Sequence, residues 1–194
     1  MEGEQRSLFS VREVASVPYG QRVTPLAMSA TALTTWKQRV WQFQQTVREE
    51  LNAAQQGSLF GDLPSATEVA IAIDPFALPR QNVEFWRWSV EDAGVSAYYF
   101  VIDYEVPLLL YVGETVKSNQ RWKGEHDCKR YIENYISAHR QAGVPTTVGI
   151  AFHHWAPTAT RPRQQLETAL ILQWRSPFNK QNWVFWGTPF VGGQ

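Results

Sequence analysis

Two apolar runs separated by five residues constrain this chain more than any other feature. Ala97-Tyr98-Tyr99-Phe100-Val101-Ile102 and Leu108-Leu109-Leu110-Tyr111-Val112 are short and end in turn chemistry, with Asp103-Tyr104-Glu105-Val106-Pro107 between them. Strand-length runs joined by a short acidic turn predict an antiparallel pair. Residues 118–141 read as helical, with Gly124 marking a bend and Gly143 and Pro145 the stop. Residues 147–153 read as a third strand. Pro162 suits the first turn of a helix running to residue 174, which Ser176-Pro177 ends. The order strand, strand, helix, strand, helix predicts an α+β domain over 96–194, a small antiparallel three-stranded sheet flanked by helices.

Residues 1–95 read as an extension. The first ten are polar and aperiodic, and Pro18-Tyr19-Gly20 and Pro25 punctuate the next stretch. Trp36, Val40, Phe43, Val47 and Leu51 then recur at steps of three and four, the pattern of an amphipathic helix over 34–56. A loop follows at 57–67, and residues 69–73 and 83–90 read as short strands.

Among 194 residues, 44% hydrophobic content is enough for a real core, and most of the nine Trp are expected in it or lining a groove. The single Cys128 leaves no internal disulfide and no Cys-based zinc site. No apolar run is long enough to span a membrane and the acidic start does not resemble a signal peptide, so a cytoplasmic protein is expected. Formal net charge is zero, but it is divided unevenly. Residues 1–110 carry eight Lys/Arg against thirteen Asp/Glu, and residues 111–194 carry ten against five. A basic half beside an acidic one suits one face meeting a polyanion.

Five elements of the C-terminal half, in order, carry a family resemblance. Ala97-Tyr98-Tyr99 is similar to the first signature of the GIY-YIG nucleases, and Tyr111-Val112-Gly113 to the second. Arg121 follows Gly113 by eight residues, and His126 lies five further on. Glu167 falls in the helix after the third strand, and Asn179 follows it by twelve residues. The resemblance covers roughly residues 95–183. It departs from the family pattern at Ala97 and Tyr98, which replace Gly and Ile, and at Glu114, which has no role in the scheme.

The resemblance implies a metal-dependent endonuclease with Mg²⁺ or Mn²⁺ as cofactor. Phosphodiester hydrolysis needs a deprotonated water, charge neutralisation at phosphorus and a stabilised leaving oxygen. Mg²⁺ takes one or two protein carboxylates and completes its shell with water and phosphate, so Glu167 alone suffices as metal ligand. Arg121 offers a planar fork for a phosphate oxygen. The resemblance implies Tyr99 as general base, Tyr111 orienting the water or phosphate, His126 assisting, and Asn179 tying down the loop beneath Glu167. Taken singly, the tyrosines would be strand aromatics and Arg121 and Glu167 solvated helix residues; the shared spacing is what makes them a site. His153 and His154, beside Trp155, read as structural or DNA-contacting. Trp183, Phe185 and Trp186 read as closing the core, with stacking on unpaired bases as the alternative.

A second signal lies in the extension. Gln5-Arg6-Ser7-Leu8-Phe9 and Gln56-Gly57-Ser58-Leu59-Phe60 both resemble the pentapeptide by which bacterial polymerases and repair proteins bind the sliding clamp. Leu8 and Phe9, or Leu59 and Phe60, would fill adjoining apolar pockets while Gln5 or Gln56 fixes register through its amide. The expected partners are therefore DNA, branched or damaged rather than plain duplex, and a clamp. Two other readings fit the same residues: a non-catalytic DNA-binding module of this fold, and a restriction-type endonuclease.

Overall fold

The structure, a computed structural model, describes residues 28–55, 66–82, 95–116 and 127–191. A mixed α/β architecture results, with a four-stranded antiparallel sheet between two layers of helix. Strands β1 (Arg80–Asn82), β2 (Ala97–Asp103), β3 (Leu108–Thr115) and β4 (Val148–His153) lie in the order β1-β4-β2-β3. Every residue of β2 is buried, as a central strand covered on both faces must be.

Helices α1 (Ala30–Gln55) and α3 (Asp127–Ala142) cover one face. Leu33, Trp36 and Val40 of α1 and Tyr131, Ile132 and Tyr135 of α3 meet Ala97, Tyr99, Val101, Ile150 and Phe152 there. Helix α4 (Thr160–Trp174) and the short α2 (Ala66–Ile71) cover the other, where Leu166, Leu170, Ile171 and Trp174 pack on Tyr98, Phe100, Ile102 and Ala151. A turn of helix, α5 (Trp183–Trp186), follows, and Trp186 and Phe190 close the first core. Among the described residues no helix is long and apolar enough to cross a membrane.

The long helix of the extension shares the core of the sheet. Ser29 caps α1, its Oγ accepting from Ala32 N at 3.1 Å. Lys37 reaches Asp103 at the turn end of the hairpin at 2.8 Å, both side chains being buried. Two helical turns further along, Gln44 clamps strand β3 from outside: its amide accepts from Leu109 N at 2.8 Å and donates to Leu109 O at 2.9 Å. That pairing occupies backbone groups an edge strand would otherwise expose.

Two expectations fail. The sheet has four strands rather than three, because Arg80–Asn82 pairs antiparallel with β4 through Arg80↔Ala151, Gln81↔Ile150 and Asn82↔Gly149. Arg, Gln and Asn have little β-propensity, so only the ladder partner makes this segment a strand. Residues 69–73 form no strand; Ala66–Ile71 is helical, with Glu68 in its first turn and Ala70 buried against the α4 layer. The β-branched run there has packing against a helix and no ladder, and packing overrides propensity. The strand expected at 83–90 lies outside the described residues, as do 117–126 at the start of the helix expected at 118–141. Gly143, at φ 64°, ends α3 as a left-handed cap, with Val144 N donating to His139 O at 3.0 Å.

A candidate active site at the open end of the hairpin

Strands β2 and β3 pair with Tyr99 opposite Gly113 and Val101 opposite Tyr111. The register then slips, so that Ile102 pairs with Leu109 and Leu110 has no partner. This bulge decides where the second tyrosine points. Leu108 and Leu110 face the α1/α3 side and Leu109 the α4 side, so strict alternation would send Tyr111 to the α4 side. The extra residue returns Tyr111 to the side of Tyr99, where the two rings stack with centroids 5.9 Å apart and planes 25° apart.

The bulge is held from outside. Phe178 N donates to Leu110 O at 2.9 Å. Asn179 brackets the next residue: its Oδ1 accepts from Val112 N at 3.0 Å, and its Nδ2 donates to Val112 O at 2.8 Å. Ser176 Oγ also donates to that Oδ1 at 2.7 Å. The Asn179 amide is buried and committed to the backbone, so it positions the strand that carries Tyr111 and Gly113. Gly113 has its own constraint. A Cβ there would lie 2.2 Å from Tyr99 Cζ, a distance no side chain tolerates, so the Tyr99 ring lies directly over the glycine.

Tyr99 is fully buried and Tyr111 only partly. Glu167 is half-buried on α4, in the opposite layer, and there belongs to a second polar group at the same end of the sheet. Tyr98 lies opposite both Glu114 and His153, stacks on the His153 ring at 6.4 Å, and donates from its phenol to Arg163 O at 3.1 Å. Burial pushes that phenol well above its ordinary value; the Arg163 charge opposes the rise, while Glu114 and Glu167 add to it. It therefore stays protonated. The structure thus brings Tyr99 and Tyr111 together with Asn179 beneath their strand, and sets Glu167 across the sheet, next to Tyr98.

Glu114 has an explanation that its sequence position did not supply. Its Oε2 accepts from Arg163 Nε at 2.5 Å, and the guanidinium is almost wholly buried. The same guanidinium donates through one amino group to Pro157 O at 3.1 Å and Thr158 O at 2.8 Å. The extra carboxylate is neutralised within the fold, and α4, β3 and the loop after β4 are tied at one point. Arg163 was missed because, in sequence, it looks like one more basic residue on a helix. His153 is held below its ordinary value by burial and then by the neighbouring His154, and is neutral near pH 7.

Arg121 and His126 lie outside the described residues, as do both pentapeptides with Gln5, Leu8, Phe9, Gln56, Leu59 and Phe60. Among the described residues no group of three His, Cys, Asp or Glu side chains converges. One half-buried carboxylate, Glu167, is a donor of the kind a hard cation that keeps most of its waters would take. No family model, no curated protein and no solved structure matches this chain.

Proposed function

We propose that this chain is a metal-dependent DNA endonuclease, structure-selective or repair-related, acting at the open end of the β2–β3 hairpin. The observation that carries the reading is the paired tyrosines. A bulge, a bracketing asparagine and an obligatory glycine combine to stack Tyr111 against Tyr99 on one face. Packing of the sheet alone would not require a strand to be re-aimed so that a second tyrosine ring lies on the first. The basic balance of residues 111–194 supports a polyanionic substrate.

In this reading Tyr111 orients the attacking water or the phosphate, and Tyr99, stacked on it, serves as general base. Arg121 and His126 would act on the phosphate, and Glu167, across the sheet from the tyrosine pair, would hold Mg²⁺ or Mn²⁺. When bound, that ion supplies charge neutralisation at phosphorus and acidifies the water. The pentapeptides at 5–9 and 56–60 recruit the protein to a sliding clamp.

One observation favours a second reading. Tyr99 is fully buried, which suits a non-catalytic DNA-binding module of the same fold better than a general base. A cleavage assay separates the two. Labelled single strand, duplex, flap, splayed arm and four-way junction are incubated with Mg²⁺ or Mn²⁺, with wild type and Glu167→Gln in parallel. Cutting of a branched substrate that the variant abolishes, with folding unchanged, is the expected outcome. Binding without cutting of any substrate would replace the nuclease with the module, and wild-type cutting by the variant would remove Glu167 from the mechanism.

A further inference from the structure

The side of the sheet that holds the tyrosine pair continues past the edge of β3. Tyr111 and Trp183 both pack on the core under α1 and α3, and Asn179, which brackets Val112, leads into the turn that ends in α5. Two residues of α5 face inward: Trp186 is buried, and Trp183 donates through Nε1 to Phe178 O at 3.1 Å. The two between them do not. Val184 has 97% of its surface exposed and Phe185 53%, an apolar step left in water. The step is held out by its neighbours, since Trp186 Nε1 donates to Arg175 O and Thr188 N to Trp183 O at 3.1 Å.

Cations surround this step in space. The Arg175 guanidinium lies over the Phe185 ring, 5.2 Å from its centroid, and that of Arg39 over the Trp186 ring at 5.7 Å. Lys180 Nζ lies 5.8 Å from the Trp183 ring centroid. Among the described residues no carboxylate pairs with either arginine, and Lys180 has the exposed Asp127 at 3.7 Å. The carboxylates of α1, Glu49 and Glu50, stand ten and eleven residues beyond Arg39, about 15 Å along the axis. Glu167 stands eight residues before Arg175, about 12 Å back along α4. Arg175 itself has φ 47°, in the left-handed region at the end of α4, where glycine is the usual residue. Glycine would satisfy that backbone, so the guanidinium is dispensable to the turn.

We infer that α5, with Arg39, Arg175 and Lys180, is a docking face for the phosphate backbone of DNA that flanks the tyrosine pair. Charge complementarity selects the occupant. Guanidinium groups held on ring faces present planar donors to phosphate oxygens, and the apolar step of Val184 and Phe185 meets the C–H faces of the sugars between them. This rests on the nuclease reading and adds that the substrate extends beyond the cut, past the outer edge of β3.

The test is binding of labelled duplex and flap DNA by anisotropy over a range of NaCl, with EDTA present so that nothing is cut. Circular dichroism confirms that each variant is folded. Arg175→Gly, which suits the left-handed backbone, is expected to weaken binding and to reduce the slope of log affinity against log salt by about one. Val184→Glu, at a side chain with no packing to lose, is expected to weaken binding about tenfold at low salt. Arg161→Gln, an exposed arginine on α4 in the opposite layer, should leave slope and affinity unchanged. Wild-type behaviour of Arg175→Gly and Val184→Glu would overturn the face and leave the nuclease reading standing. An equal drop in Arg161→Gln would do the same. Vesicles of phosphatidylcholine with phosphatidylserine are a second probe: if wild type binds them and both α5-face variants lose that binding while keeping their DNA affinity, the face belongs to a lipid surface and the inference falls. Failure of wild type to bind either DNA would remove the nuclease reading and the face together.

Discussion

The two ends of the β2–β3 hairpin each carry a buried ion pair to a helix, yet they are built differently. At the turn end Asp103 is enclosed. Its Oδ2 accepts from Lys37, Tyr135 and Thr146, each at 2.8 Å, and its Oδ1 accepts from Thr147 N at 2.9 Å and Glu105 N at 3.1 Å. Burial pushes the Asp103 carboxyl up, but the Lys37 hydrogen bond, the Thr147 amide, the Lys37 charge and the Tyr135 hydroxyl outweigh it and hold it below its ordinary value. At the open end Glu114 accepts from Arg163, and Tyr111 on β3, Glu167 on α4 and His153 at the end of β4 are each only partly buried. A carboxylate with five donors serves the fold. An end whose side chains stay partly exposed is the end we assign to a ligand.

The largest expected effect comes from opening the enclosed end. Asp103→Ala strands the Lys37 ammonium, 5% exposed, in the core and removes the partner of Tyr135 and Thr146. Breaking a buried pair from one side should cost about 3–5 kcal/mol, read as a lower denaturant midpoint. Lys37→Met with Asp103→Leu should recover part of that loss, since no unpaired charge remains although Tyr135 and the Thr147 amide still lack their acceptor. A cost below about 1 kcal/mol for Asp103→Ala would show that α1 is held by its apolar stripe alone, and the contrast between the ends would fail.

The open end should respond to a smaller change with a smaller stability cost and a larger loss of activity. Gly113→Ala puts a methyl where the Tyr99 ring lies, so the ring must move. Overpacking of this kind costs about 1–3 kcal/mol. Displacing Tyr99 should also separate it from Tyr111 and depress cleavage far more than the midpoint shift explains. Full activity in Gly113→Ala would mean that the stacked pair does not matter to the chemistry.

These two ends were not equally legible in the sequence. The hairpin, the third strand and three long helices follow from runs and periodicities, because burial of a face imposes a period. The α1 stripe was read at Trp36, Val40, Phe43, Val47 and Leu51, but its polar members Lys37 and Gln44 look solvated in sequence and are buried in fact. They bind partners in sequence-distant segments, Asp103 and Leu109, and no local pattern encodes a contact of that kind. The same holds for β1, which is a strand only because β4 offers an edge, and for the bulge at Leu110, which nothing in Leu-Leu-Leu-Tyr-Val announces. The spacing of twelve between Tyr99 and Tyr111 was visible in the sequence; that it needs a bulge to put both rings on one face was not.

The smallest expected effect is a titration that tells the ends apart. His139, fully buried at the turn end, donates from Nδ1 to the Tyr135 carbonyl at 2.8 Å. Burial lowers its value below the ordinary 6.5; the Tyr135 carbonyl raises it, Lys37 lowers it and Asp103 raises it, leaving it lowered. A folded-state value below the unfolded one means stability is fully present above about pH 6.5 and declines as pH falls, because the unfolded chain takes up the proton first. Asp103 has the same sign in a lower window, its contribution being lost as pH falls below the ordinary 3.8 toward its folded value. Denaturant midpoints between pH 7 and pH 5 should therefore fall in wild type and fall less in His139→Gln. His153 at the open end is lowered too, but it is only half-buried and has the exposed His154 as neighbour, so His153→Gln should flatten the profile less. If His153→Gln flattened it more, the open end would be the more tightly closed of the two, and the assignment of structure to one end and ligand to the other would have to be reversed.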